Sequence, residues 1–178
     1  MATMKKNGFT LVEMIVTMGI FSLLIGSLAA VFTQILQSQR NISSTQELLG
    51  QTSYALEYMS RAIRMARKDL DGSCTGIVNL NYSTTTSLGT GIKFLNSGSV
   101  CQEFYLETGQ LKENEGGVVS PLTSSHLNVL SFDIVDSGWT QTDDNQPKVT
   151  LFLNIEGNNQ SKIKVQTAVT QRNLDIMR

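Results

Sequence analysis

The sequence predicts an α+β fold: a long N-terminal helix, with its first half apolar enough to cross a membrane, packed on an antiparallel β-sheet. Three observations lead there. An uncharged apolar run extends from Met14 to Phe32. An apolar stripe at helical spacing follows it, through Leu48, Thr52, Ala55, Leu56, Met59, Ala62, Ile63, Ala66 and Leu70. After Gly72 the chain turns to short alternating runs separated by Gly, Asn, Asp and Ser.

The apolar run comes first in the chain. Met14 to Phe32 is nineteen residues, or about 28 Å of helix at about 1.5 Å per residue, close to the hydrocarbon thickness of a bilayer. Lys5 and Lys6 precede it, and the next basic residue is Arg40. The positive-inside rule therefore places the N-terminus in the cytoplasm and the rest of the chain outside. The residues alone admit three readings. One is a secretory signal peptide, with Ser27-Leu28-Ala29 as a small-x-small cleavage site. Glu13 at the start of the run, and the run's length, count against it. Another is a plain signal anchor with Glu13 reaching to the interface. In the last, the cut falls before the apolar run, so the anchor stays on the mature protein.

The motif Lys5-Lys6-Asn7-Gly8 followed by Phe9-Thr10-Leu11-Val12-Glu13 resembles the class III signal of type IV pilins. The resemblance is carried by the segment up to about Phe32. It implies a leader of residues 1–8, cut between Gly8 and Phe9 by the prepilin peptidase, and methylation of the new amino group of Phe9. Gly8 has no side chain, which suits a backbone entering a narrow peptidase site. It also implies a role for Glu13 in setting register, by pairing with the amino terminus of Phe9 on a neighbouring subunit. The physical alternative is a tolerated interfacial acid, favoured by the macrodipole of the first helical turn.

Residues 9–32 form the expected transmembrane segment and residues 33–70 its amphipathic continuation. Phe9 to Leu70 as one helix spans about 93 Å at about 1.5 Å per residue. Many pilins carry a proline about a third of the way along; Ala29-Ala30 stands there in this chain. Gly19 and Gly26 lie seven apart on one helix face and offer close approach to a neighbouring helix, although chance accounts for the spacing equally well. Arg61, Arg64, Arg67 and Lys68 form a basic cluster near the helix end. No aromatic residues interleave with them as a single-strand-binding platform requires, so a solvated helix face is the simpler reading.

Residues 71–178 form the expected sheet domain of four to six strands. Asp71 to Gly91 reads as a long loop with room for one short strand. Runs at Ile92–Leu95, Val100–Leu106, Leu111–Glu113, Leu127–Val135, Lys148–Ile155 and Ile163–Val169 read as strands. Glu107-Thr108-Gly109-Gln110 is a hairpin signal. Asp143-Asp144-Asn145-Gln146-Pro147 and Glu156-Gly157-Asn158-Asn159 read as turns. A helix followed by such a sheet resembles the pilin fold. Leu122-Thr123-Ser124 before a long strand, and Val169-Thr170-Gln171-Arg172-Asn173 near the end, resemble the J-type minor pseudopilins of type II secretion.

Cys74 and Cys101 are the only cysteines, too few for a metal framework. Outside the membrane they are expected to form a disulfide, with two free thiols as the alternative. His126 has no Cys or His near it in sequence and reads as a surface residue, not a metal ligand. Asp143-Asp144-Asn145 lacks the oxygen spacing of a dedicated calcium loop. A net charge of −1 disfavours general DNA binding. With no catalytic set, cofactor motif or metal motif in view, a non-enzymatic structural subunit is expected. The resemblance implies prepilin peptidase, other pilins or pseudopilins, a membrane platform protein and an assembly ATPase as partners. The alternative is a pilin-like binding module for DNA uptake or surface adhesion.

Overall fold

A computed structural model describes residues 8–86, 89–138, 145–157 and 161–172. One α-helix, α1, spans Leu11–Arg64 without interruption. The chain divides into two units, one up to Ile42 and one from Ser43 onward. In the first unit every described residue is exposed. The second unit contains the rest of α1 and all the strands.

Among the described residues, eight strands follow the helix: β1 Ser83–Thr85, β2 Thr90–Leu95, β3 Cys101–Glu107, β4 Gln110–Glu115, β5 Val118–Pro121, β6 Asn128–Ser137, β7 Lys148–Glu156 and β8 Lys162–Thr170. They form two antiparallel sheets, five-stranded β1-β2-β3-β4-β5 and three-stranded β6-β7-β8. The expected single sheet of four to six strands is thus divided, and the division falls in the connection from β5 to β6. The two sheets meet where Val129 N–H donates to the Gly109 carbonyl at 2.8 Å. Gly109 has φ +74°, and a Cβ there would collide with Asn128 Oδ1. The positive φ of the two-residue turn Thr108-Gly109 therefore favours glycine, while Asn128 could turn aside from a Cβ.

The stripe on α1 is the side that packs. Leu48, Ala55, Met59 and Ile63 are buried from Ser43 onward, and they share one core with Phe94 and Phe104 of the first sheet and Phe132, Leu151 and Leu153 of the second. Each of the larger of these side chains contributes about 1.5–3 kcal/mol by leaving water. The Tyr58 ring meets Phe104 edge-on at 6.1 Å. Its hydroxyl donates to both oxygens of the buried Glu113 carboxylate, at 2.9 and 3.1 Å, and Gln102 donates to the same group. A buried carboxylate is thereby satisfied at the helix–sheet seam.

The helix stops at Arg64, six residues short of the expected Leu70. Met65 N–H reaches both the Arg61 and Ala62 carbonyls, and Ala66 N–H reaches Ile63, a tightening typical of a final turn. Arg67 and Asp69 then form backbone bridges with Leu95 and Leu80. Tertiary donors take the carbonyls that the ending helix leaves open. The Tyr82 hydroxyl donates to Ile63, Arg172 N–H to Arg64 and Gln171 Nε2 to Ala66, at 3.0, 2.8 and 2.7 Å. Leu70, outside the helix, is 70% exposed and leaves the stripe.

Two more elements depart from the sequence pattern. Strict alternation along the expected strand Leu127–Val135 places Leu130 on the side of Phe132. A bulge between Val129 and Ser131 reverses the phase instead, so Val129 and Phe132 are both buried and Leu130 faces out. Strand β5 has no counterpart in the sequence reading. Gly116 and Gly117, both at positive φ, turn β4 into it. Pro121 is tolerated there because β5 is an edge strand.

The Cys74–Cys101 disulfide is formed, with Cα atoms 5.3 Å apart, and ties the loop after the helix to the start of β3. The same loop is organised by buried Asp69, whose Oδ2 accepts from Cys74 N–H, Thr75 N–H and Thr75 Oγ1 at 2.9, 2.7 and 2.9 Å. Replacing both cysteines by serine should cost about 3.6 kcal/mol for a loop of this length, read as a lower midpoint in denaturant unfolding of the oxidised protein. Reducing the unaltered protein should give the same midpoint. Burial first, then the hydrogen bond to Glu113 and that group's charge, push Tyr58 from 10.0 up to about 12. The folded state holds this proton more tightly. Its contribution to stability is therefore complete below pH 10.0 and lost as pH rises through about 12. Tyr58→Phe should flatten the decline of unfolding free energy across that interval.

Candidate functional site

The segment at the head of α1 is the candidate site, and its geometry begins with Thr10. Gly8, Phe9 and Thr10 precede the helix. Thr10 is its N-cap: the Thr10 carbonyl accepts the first helical bond from Met14 N–H at 3.2 Å. Thr10 Oγ1 accepts from Glu13 N–H at 3.3 Å, and Glu13 Oε2 accepts from Thr10 N–H at 3.5 Å. This reciprocal pair is a capping box. Glu13 thus has a local partner that the sequence reading missed, although Thr10-Leu11-Val12-Glu13 carries the signature. Lys5, Lys6 and Asn7 lie outside the described residues.

Around and beyond Glu13 the helix offers a largely apolar surface that is exposed in this chain. Phe9, Leu11, Leu23 and Leu28 are 68–77% exposed, and the remaining large apolar side chains through Leu36 are 40% exposed or more. The stretch qualifies by length and composition to cross a membrane. Its hydroxyls are turned inward on the helix itself. Thr17, Ser22, Ser27 and Thr33 donate to the carbonyls of Met14, Met18, Leu24 and Ala30 at 3.0, 2.8, 2.8 and 2.8 Å. Such back-bonding removes the donors that lipid could not satisfy. A Cβ at Gly19 or Gly26 would meet nothing in this chain.

The other sequence candidates do not assemble around this site. Cys74 and Cys101 are joined in the second unit. The basic cluster is broken up by the early helix end. Arg61 pairs with Glu57 at 2.8 Å on the exposed helix face, while Arg67 lies past the helix and donates to Ser99 Oγ at 3.2 Å. His126 sits exposed in the turn before β6. Asp143 and Asp144 lie outside the described residues. Among the described residues, no three His, Cys, Asp or Glu side chains group closely enough to hold a metal ion.

Two other sequence cues have structural work to do. Buried Thr123 accepts from Leu111 N–H through Oγ1 at 3.0 Å, and Ser124 N–H donates to Gln51 Oε1 on α1 at 3.0 Å. Gln171 accepts from Asn81 Nδ2 at 3.1 Å while donating to Ala66.

Residues 3–29 match the family described as the prokaryotic N-terminal methylation motif. No curated protein and no solved structure matches the chain significantly. The chain therefore carries a class III prepilin signal on a single apolar helix, followed by antiparallel sheets: a type IV pilin-like protein. The motif implies processing by prepilin peptidase and assembly with other pilins, and the apolar helix beside it has the length and composition of a membrane anchor.

If the capping box organises the first turn, Thr10→Val should speed hydrogen exchange at the Glu13 amide, which loses its acceptor. The expected factor corresponds to about 1 kcal/mol of lost capping. Glu13→Gln, which keeps a side-chain acceptor, should change exchange far less.

Proposed function

We propose that this chain is a structural subunit, a minor pilin or pseudopilin, of a type IV pilus-like or type II secretion filament. In this reading prepilin peptidase cuts between Gly8 and Phe9 and methylates the Phe9 amino group. Residues 1–8 are the leader, residues 9–32 the membrane-spanning segment, residues 33–70 the stretch that carries the helix, to Arg64, into the folded part and residues 71–178 the sheet domain. The N-terminus faces the cytoplasm and the sheet domain the outside, with Lys5 and Lys6 supporting that orientation. A membrane platform protein and a cytoplasmic assembly ATPase would move the subunit from the bilayer into the filament. The J-type likeness of the later cues points to a minor position.

The observation that carries the reading is the methylation motif directly joined to an exposed apolar helix. A signal that is cut away with its apolar core would leave no anchor. A cut at Gly8 leaves all of the helix in place, together with Glu13 in its first turn. In a bundle of apolar helices, a charge pair between Glu13 and the amino terminus of a neighbour would fix axial register.

Intact-mass analysis of the membrane-extracted protein tests this. A chain beginning at Phe9 and carrying one methyl group is expected in cells with active prepilin peptidase, and the full chain in cells without it. An unmethylated N-terminus at Met1 or Ala2 in the former would sink the proposal. Glu13→Ala should insert in the membrane normally and lose incorporation into filaments, measured by shearing and immunoblotting. Normal incorporation would remove the register role.

A further inference from the structure

The solvent face of the three-stranded sheet has a composition that its fold does not require. Its inner face is filled by Val149, Leu151, Leu153 and Ile155. On the outer face, registered rows cross all three strands. Ser131 stands beside Asn154, and Asn154 beside Lys164; in the next row stand Asp133, Phe152 and Gln166. These six side chains line an open groove. Phe152 is half-buried at its centre, while Asp133, Lys164 and Gln166 are exposed or partly exposed around it. Asn154 Oδ1 is shielded from bulk water and accepts no hydrogen bond among the described residues.

We infer that this groove is a glycan-binding site, with Phe152 as the platform for one sugar ring and Asp133, Asn154, Lys164 and Gln166 as the groups that hold its hydroxyls. The chemistry of the lining selects this class. A hexose has one face of C–H bonds, which packs on an aromatic ring, and a rim of hydroxyls that both donate and accept. Phe152 supplies the flat apolar surface. Asp133 is an acceptor only, Lys164 a donor only, and the two carboxamides are both. Adjacent hydroxyls therefore find complementary partners within neighbouring rows. A small apolar centre ringed by a few polar groups is the usual form of a small-ligand site.

Other occupants fit less well. A nucleic acid strand would meet Asp133 beside the aromatic ring, where its phosphates gain nothing, and would find one aromatic where a stacking platform uses several. An added β-strand would take the free edge of β8, leaving this face untouched. The inference does not rest on filament membership.

The test is saturation-transfer NMR on the full chain in nanodiscs. The probes are the methyl glycosides of glucose, galactose, mannose, N-acetylglucosamine and N-acetylgalactosamine. A site of this size should bind its sugar with a Kd on the order of 1 mM. Transfer is expected to the ring C–H protons of at least one probe. Phe152→Ala should weaken it roughly tenfold, as fits the loss of one stacked ring. Gln166→Ala, whose side chain is exposed and cannot disturb the core, should also weaken it; it decides the matter if Phe152→Ala fails to fold. No transfer to any probe at roughly tenfold the expected Kd would overturn the inference. So would transfer that both variants leave unchanged, or a groove that takes up a peptide in preference to every probe.

Discussion

The rest of this molecule depends on an apolar helical surface that its own chain does not cover. From Phe9 to Leu36 the large side chains of α1 point away from any protein partner. Burial of such a surface is the main favourable term available to a folding or associating chain. It must be met by lipid, by helices of the same kind, or by each in turn. The same helix changes its means of burial further along. From Leu48 onward, one stripe is covered by two sheets and the opposite face carries Glu47, Glu57 and Arg61. A single secondary structure element thus solves two different solvation problems. What distinguishes its halves is only which side chains recur at spacings of three and four.

The end of that helix is where the fold is closed. Three carbonyls near its C-terminus accept from Tyr82, Gln171 and Arg172, residues that arrive from opposite ends of the sheet domain. Gln171 is 5% exposed and also holds Asn81. The last described residues of the chain therefore finish the first element of it. Together with the disulfide and the Asp69 carboxylate, they fix a loop that has little apolar burial of its own. Ile77 and Val78 of that loop are 60% and 58% exposed. Side-chain and covalent ties take the place there that core packing takes elsewhere.

What could be read from the sequence follows the range of each interaction. The helix stripe, the hairpin at Thr108-Gly109 and the long strands are local patterns and were legible. The prepilin signal was also legible, because its defining residues are contiguous and the helix they open is uninterrupted. The helix end was not. Ala66 and Leu70 continue the stripe in sequence, and what stops the helix is a pairing of Arg67 with Leu95 across the domain. The bulge at Leu130 was hidden for a similar reason. An alternating pattern does not show where one residue drops out of register until its partner strand is known. The division into two sheets depends on the β5–β6 connection, whose Leu122-Thr123-Ser124 looked like a family cue. Its physical role is to tie β4 and α1 together. The capping box, by contrast, is fully present in Thr10-Leu11-Val12-Glu13 and depends on nothing beyond those residues.

A carboxylate in an apolar helix is usually discussed as a group in want of a partner. Here it is one half of a reciprocal cap while Gly8 still precedes Phe9. The box satisfies two backbone donors that lipid would leave bare, so the acid contributes to the helix before any neighbour is present. Under the proposed processing, the Phe9 amide nitrogen becomes a charged amine one residue before the cap. Glu13 then has two claims on its carboxylate, the local Thr10 N–H and an amine. The bond to Thr10 N–H is already charge-assisted through the carboxylate, and an amine adds to it the attraction of a full opposite charge. The cut would therefore shift the balance from a local cap toward an ion pair, and make partner choice by Glu13 a consequence of cleavage. A subunit still carrying its leader would hold its acid internally, and only a processed one would offer it for register.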